Sequence, residues 1–339
     1  MIIEGMEPFV GQHCETTATG NLLKHAGLNL SEPMLFGLGQ GLGFIYWDMK
    51  SMDFPFMGGR IKQNLLTDNI VRNLGLKMER KETSSTKKAW ENVKTSIDAS
   101  VPVGLQLDSY YLDYFTNKIH FGGHYVAMYG YDDSYAYLVD TAQQGSNVEA
   151  LLENVALARN ARGPMTSRNL SYTIAKPNGA PDLGEAAILA IVANAEDFLN
   201  PPIKNIGYKG IAKAAREVRK WLGRTEKPEE DLALAAVLME RGGTGGALFR
   251  NLYRDFLGEC VALVGGEELE EGRRMYSEIA PLWTEVSALI QKAGETGKQR
   301  HLDQASKLLF DLSEREKAAM QVLSRVGPAN KTAPAPDGA

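Results

Sequence analysis

Cys14, His124 and Asp140 are the residues of this chain whose types and order could perform nucleophilic chemistry. A thiolate can attack a carbonyl carbon, an imidazole in hydrogen-bond reach can take and return the proton, and a carboxylate can hold the imidazole's far nitrogen and fix its tautomer. Cys14 opens the segment CETTATGNLLKHAG, where Leu22, Leu23 and Ala26 share one helical face and Gly27 supplies a stop. The cysteine is therefore expected at a helix N-terminus, whose unpaired N–H groups and dipole favour a thiolate. His124 begins the run HYVAMYGY and Asp140 ends YAYLVD, with Asp132, Asp133 and Ser134 as turn residues between them. The two runs predict a hairpin that brings His124 and Asp140 together at its open end.

Further strands are expected at 101–107 (VPVGLQL) and 170–175 (LSYTIA), which makes the first half α+β. The segment AKPNGAPDLG reads as a linker, and beyond it the apolar period changes from two to 3.6. Ile211, Ala214, Ala215, Val218, Trp221 and Leu222 form one helical stripe; Phe249, Leu252, Tyr253, Phe256, Leu257 and Cys260 form another. Leu282, Val286, Leu289 and Ile290 mark a third, and Leu302, Ala305, Leu308, Leu309 and Leu312 a fourth. The expected organisation is a catalytic domain over 1–178, an all-helical domain over 179–326, each with its own core, and a disordered tail over 327–339, where large apolar side chains are lacking.

Composition narrows the function. With 339 residues, 44% hydrophobic and 23% charged, the chain is globular in type. Its 37 basic and 42 acidic residues give a net charge of -5, without the basic excess that nucleic-acid binding needs. A secretory signal and a membrane-spanning run are absent from the sequence, and the two cysteines are far apart, so a cytoplasmic protein in a reducing compartment is expected.

Other residues compete for a role. His13, Cys14, His120 and His124 offer zinc-type ligands, but His13 and Cys14 are adjacent and diverge, so no metal is expected. Gly37, Gly39, Gly41 and Gly43 do not fit a dinucleotide fingerprint; Gly39 and Gly41, with Tyr46, are candidate borders of a substrate channel. The insertion DSYYLDYFTNKIHFGG carries Tyr110, Tyr111 and Tyr114, candidates for a substrate pocket over the histidine. Arg159, Arg162 and Arg168 form a basic cluster suited to docking an acidic carrier protein. Cys260 lies on an apolar stripe and reads as core.

The helix-initial Cys14, the strand GGHYVAMYGYDD and YLVDTAQQG together resemble the papain-like domains that process bacteriocin leader peptides. The segments QHCETTATGNLLKHAG, SEPMLFGLGQGLGFIYW, FPFMGGR and PVGLQLD are similar to the N-terminal domain of the butirosin biosynthesis protein H family, and GGTGGALFRNLYRDFL resembles the helical domain of unknown function that follows it there. That resemblance implies a papain-like fold, helix on antiparallel sheet, with a second all-α domain. It implies an acyltransferase in secondary metabolism that takes an acyl or aminoacyl group from a carrier-protein or pantetheine thioester onto Cys14 and passes it to a small amine, without a cofactor. Pro8 stands where papain-like peptidases place an oxyanion-stabilising Gln, leaving Gln12 or the Cys14 backbone N–H for that task. A cysteine peptidase or amidase, and a silent binding module, are the alternatives. The helical domain is also a candidate surface for a homo-oligomer.

Overall fold

The computed structural model describes residues 1–50, 52–163 and 165–327; the tail expected at 327–339 lies, but for Gly327, outside the described residues. In chain order the elements are α1 (Cys14–His25), α2 (Glu32–Leu38), β1 (Leu42–Trp47), β2 (Phe56–Arg60), α3 (Leu65–Asn73), β3 (Met78–Lys81), α4 (Thr86–Asp98) and β4 (Val103–Leu107). They continue with β5 (His124–Tyr131), β6 (Tyr135–Val139), β7 (Asn147–Leu151), α5 (Leu152–Asn160) and β8 (Ser171–Ile174). Helices alone follow: α6 (Leu183–Leu199), α7 (Gly207–Glu217), α8 (Pro228–Glu240), α9 (Arg250–Val264), α10 (Glu267–Thr296) and α11 (Gln299–Leu323). Among the described residues no helix is long and apolar enough to cross a membrane.

Six strands form one antiparallel sheet in the order β3-β8-β4-β5-β6-β7, and β1 and β2 form a separate antiparallel pair. Alternation along β5 separates two cores. Tyr125 and Ala127 join the core that includes Ala18 and Leu22 of α1, whereas Val126 and Met128 join Val93 and Ile97 of α4 and Val155 and Ala158 of α5.

The hairpin that carries His124 and Asp140 contains a bulge. Ala127 pairs with Val139 and Met128 with Leu138, but Gly130 pairs with Tyr137 and Tyr131 with Ala136, so β5 holds one extra residue. Continuing the first register places Asp140 opposite Val126, on the face that also carries His124. Without the extra residue Asp140 would fall opposite Ala127 and turn to the other face, because a one-residue slip reverses every side chain. The N-terminal residues hold the bulged stretch: Ile3 N–H donates to the Tyr129 carbonyl at 3.0 Å and Tyr131 N–H to the Met1 carbonyl at 2.7 Å.

The two halves share a core rather than each burying its own. One cluster runs from Leu22 of α1 and Phe36 of α2 to Phe256 of α9, Trp283 of α10 and Leu309 of α11. Helix α2 is the seam. A Cβ on Gly37 would lie 2.1 Å from the Phe256 ring, so α2 and α9 approach as closely as the missing side chain allows. The stripe read as continuous from Ile211 to Leu222 tightens after Glu217 into a 3-10 turn, Val218–Gly223, that buries Trp221.

Before α9, Ala247, Leu248 and Phe249 take φ of 50°, 48° and 76°, three consecutive side-chain-bearing residues in the left-handed region. Each costs about 1–2 kcal/mol there, so the surroundings must hold them. Arg250 does so from a fully buried position. Its Nη1 donates to the Leu248 carbonyl at 2.7 Å, its Nε and Nη2 both donate to Glu316 at 2.9 Å, and its guanidinium lies 4.5 Å from the Trp283 ring centre. Arg250→Met leaves Glu316 buried without its charged partner, with the Trp283 indole N–H still donating to it, and is expected to cost about 3–5 kcal/mol in urea unfolding. A loss below about 1 kcal/mol, the range of an exposed ion pair, would contradict this role.

Candidate active site

Cys14 begins α1 and is 8% exposed. The residue before it, His13, is extended (φ -98°, ψ 132°) and offers no capping side chain, and the first helical bond runs from Thr17 N–H to the His13 carbonyl at 2.9 Å. The N–H groups of Cys14, Glu15 and Thr16 therefore precede the helical ladder. His124 is 6% exposed and its Nε2 lies 2.8 Å from Asp140 Oδ2, which leaves Nδ1 as the ring nitrogen available to Cys14. Asp140 is fully buried, and three further features hold the pair. Tyr114 Oη donates to Asp140 Oδ2 at 2.7 Å, Thr141 N–H donates to Oδ1 at 2.6 Å, and the Phe115 ring stands edge-on to the imidazole at 5.2 Å.

Electrostatics follow from that burial. Desolvation pushes the His124 imidazole toward neutrality, but the Asp140 charge and hydrogen bond, with a smaller contribution from Cys14, outweigh it and raise His124 to about 10. His124 is thus held charged at neutral pH, the form that pairs with a thiolate. The neighbouring His13 goes the other way: burial, Arg60 and His124 hold it well below 6.5. Beneath them the fully buried Glu15 pairs with Arg60 Nη1 at 3.1 Å and accepts from the Thr67 N–H and hydroxyl at 3.2 and 3.1 Å. Burial raises Glu15 despite those contacts. The second cysteine, Cys260, has none of this support; burial and Glu259 push its thiol up to about 12.

The structure redistributes the other candidates. Gln12 is exposed at the turn before Cys14. Tyr114 meets the site as a ligand of Asp140, whereas Tyr110 stacks on His120 at 3.9 Å and Tyr111 stands edge-on to it at 5.9 Å. His120 Nδ1 in turn bonds Asp108 Oδ2 at 2.8 Å, apart from the cysteine. Gly39 and Gly41 do not border an open channel: a Cβ on either would lie 2.6 Å from Leu66 Cγ or the Phe36 ring. Tyr46 is 1% exposed in the shared core, under Lys213. Arg159 is 4% exposed and donates to the carbonyls of Ala89 and Asn169, so it ties α5 to α4 and cannot meet a partner; Arg162 and Arg168 remain on the surface.

Two neighbours of the site had no sequence signal of their own. Glu32 reaches back to the turn before Cys14. Phe249, from the helical half, stands edge-on to His13 at 5.4 Å and stacks on Phe36 at 5.3 Å.

A helix-initial cysteine on an antiparallel sheet, facing a strand-initial histidine oriented by an aspartate, is the papain-like arrangement. The family model for butirosin biosynthesis protein H, N-terminal, matches residues 13–141, and that for the domain of unknown function DUF4872 matches 153–323, just over half the chain. The chain belongs to the butirosin biosynthesis protein H family. No curated protein matches the sequence. Among solved structures it is similar to a protein described as a C39-like peptidase from Bacillus anthracis, with 19% identity, a TM-score of 0.37, and coverage of 52% of this chain and 98% of that one. It is also similar to the peptidase domain of Streptococcus ComA, a bifunctional ABC transporter of a quorum-sensing pathway, with 15% identity, a TM-score of 0.33, and coverage of 50% and 96%. In its own fold and residue set this member of the butirosin biosynthesis protein H family has a papain-like cysteine site.

The contest at His124 gives a signed pH expectation. Raised above the ordinary 6.5, the imidazolium contributes its stabilisation fully below about pH 6.5, and that contribution is lost as pH rises through about 10. Asp140→Asn removes the raising charge and leaves burial, so the His124 titration should move down by about 1–3 units. NMR of the imidazole Cε1–H follows this directly, and an unmoved titration would show that Asp140 does not set the charge of His124.

Proposed function

We propose that the chain is a cysteine-dependent acyltransferase that moves an acyl or aminoacyl group from a carrier-protein or pantetheine thioester to a small amine. Cys14 Sγ bonds to the thioester carbonyl carbon, the carbon–sulfur bond to pantetheine breaks, and the leaving sulfur takes the proton from His124. An amine then attacks the acyl-enzyme, gives its proton to the now neutral His124, and releases the amide as Cys14 departs as a thiolate. In both tetrahedral intermediates the oxyanion falls at the N-terminus of α1, beside the Cys14 N–H.

Enclosure of the nucleophile supports transfer over hydrolysis. Cys14 is 8% exposed, and the glycine-rich loop of the helical half packs against the backbone of the turn before it. A Cβ on Gly243 would lie 3.3 Å from the Gln12 carbonyl, and Gln143 Nε2 donates to the Arg241 carbonyl at 2.8 Å. An acyl-enzyme destined for an amine must be kept from water, whereas cleavage within a polypeptide calls for an open groove. Exposed Arg162 and Arg168 are the remaining candidates for meeting an acidic carrier protein.

The test is intact-protein mass spectrometry with aminoacyl N-acetylcysteamine thioesters, with and without amines. Wild type should carry one acyl adduct that Cys14→Ala loses, His124→Ala should acylate at least about 100-fold more slowly, and added amine should divert product from acid to amide. Acid release unaffected by amines would make the protein a hydrolase; no adduct in folded protein would make it a silent module. Charge reversal at Arg162 and Arg168 should slow transfer from an acyl carrier protein and spare the small thioester, and equal effects on both would remove the docking surface.

A further inference from the structure

Glu32 is the first residue of α2, but its carboxylate serves α1. Oε1 accepts from the N–H groups of Gln12 and His13 at 2.9 and 2.8 Å and from the Thr16 hydroxyl at 2.8 Å, while Oε2 accepts from Gln12 N–H at 2.8 Å. The same turn is tied from the helix side. The Thr17 hydroxyl donates to the His13 carbonyl at 2.8 Å and accepts from Gly11 N–H at 3.2 Å, and the Thr16 oxygen lies 2.9 Å from the same carbonyl. Gly11 also makes room for the carboxylate, since a Cβ there would stand 2.6 Å from Glu32 Oε1. Among the described residues, none of Glu32's hydrogen bonds goes to the thiol or the imidazole. What the clamp fixes is the direction of the next amide in the chain, that of Cys14, which precedes the first helical bond and is not taken by a capping side chain.

We infer that Glu32 is a positioning residue for acylation: by locking the turn Gly11–His13 it aims the Cys14 backbone N–H at the carbonyl oxygen of a bound acyl group. This rests on Cys14 being the nucleophile of an acyl transfer. It is separate from activating the thiol, because a carboxylate at the N-terminus of α1 occupies the positive end of the helix and opposes a second anion there. The other charged or titratable groups around that end are His13 before α1, Glu15 on α1, Arg60 on β2, His124 on β5 and Asp140 after β6; Glu32 alone among them binds backbone N–H groups of the turn before Cys14. The seam between the halves feeds into the same place: Ser31, beside Glu32, donates to Glu259 of α9 at 2.6 Å.

Two reagents separate the positioning of the amide from the reactivity of the thiol. Iodoacetamide alkylates the thiol as iodide leaves a saturated carbon, with no oxyanion formed; p-nitrophenyl acetate acylates it through a tetrahedral oxyanion and releases p-nitrophenolate. Glu32→Gln keeps the shape but removes the charge and, with its oxygen in the Oε1 place, turns an amide N–H toward Gln12 N–H, and Gly11→Ala displaces the same carboxylate by bulk. In variants with native circular dichroism, acylation by p-nitrophenyl acetate should fall about 100-fold, while alkylation of Cys14 at about pH 6 changes less than about threefold. Glu32→Asp should restore part of the acylation. Parallel loss of both rates, or loss of neither, overturns the inference. A wild type that is alkylated at Cys14 but releases no nitrophenolate refutes the acyl-transfer reading itself, and the role of Glu32 with it.

Discussion

The candidate site depends on a contest at His124 between burial, which disfavours a charged imidazole, and Asp140, which favours it. The carboxylate wins because it is fully buried itself and is held by two donors, Tyr114 Oη and Thr141 N–H, that leave Oδ2 facing the imidazole. A carboxylate placed so deep and left unpaired would itself favour protonation, so the imidazolium and the aspartate each need the other. The bulge in β5 is the structural precondition, because it sets the two side chains on one face. A chain with the same residues and a regular hairpin would keep its strands and lose its pair.

The helical half is part of this arrangement rather than an appendage. Its core is continuous with that of the cysteine half through α2, and its strained residues Ala247, Leu248 and Phe249 are spent where Phe249 meets His13 and Phe36. Left-handed backbone at three successive side-chain-bearing residues persists only where the surroundings over-determine it, and the buried Arg250–Glu316 pair supplies that constraint. Strain gathered beside a nucleophile, and anchored from a distant helix, ties the integrity of the site to the fold of both halves.

Much of this was legible in the sequence for physical reasons that can be named. The runs beginning at His124 and Tyr135 are β-branched and aromatic with a compact Asp-Asp-Ser turn, and β5 and β6 lie where the pattern puts them. Cys14 starts a helix whose stop, Gly27, has φ of +93°. The bulge was not readable, because Gly130 fits the strand's alternation as well as any residue. Nor were β1, which follows the glycine-rich run without alternating polar residues, or β2, β3 and β7, whose apolar residues are few; β3 moreover pairs with β8, distant in sequence. The tyrosines of the insertion were assigned together although only Tyr114 reaches Asp140; types and spacing cannot say which member of an aromatic cluster turns inward. Arg159 failed as a docking residue for a related reason: a guanidinium is a good bridge between buried carbonyls as well as a surface charge.

Glu32 changes how the nucleophile should be understood. A cysteine at a helix N-terminus invites the argument that the helix activates it, but here an anion already occupies the amides that lead into that helix. Two anions compete poorly for one dipole, so a negative charge developing on Cys14 would rely chiefly on the His124 imidazolium. That division of labour suits acyl transfer. In the proposed transfer the charge partner that deprotonates the thiol would later receive the amine's proton, while the helix end beside the Glu32 clamp would be kept for the oxyanion of each half-reaction.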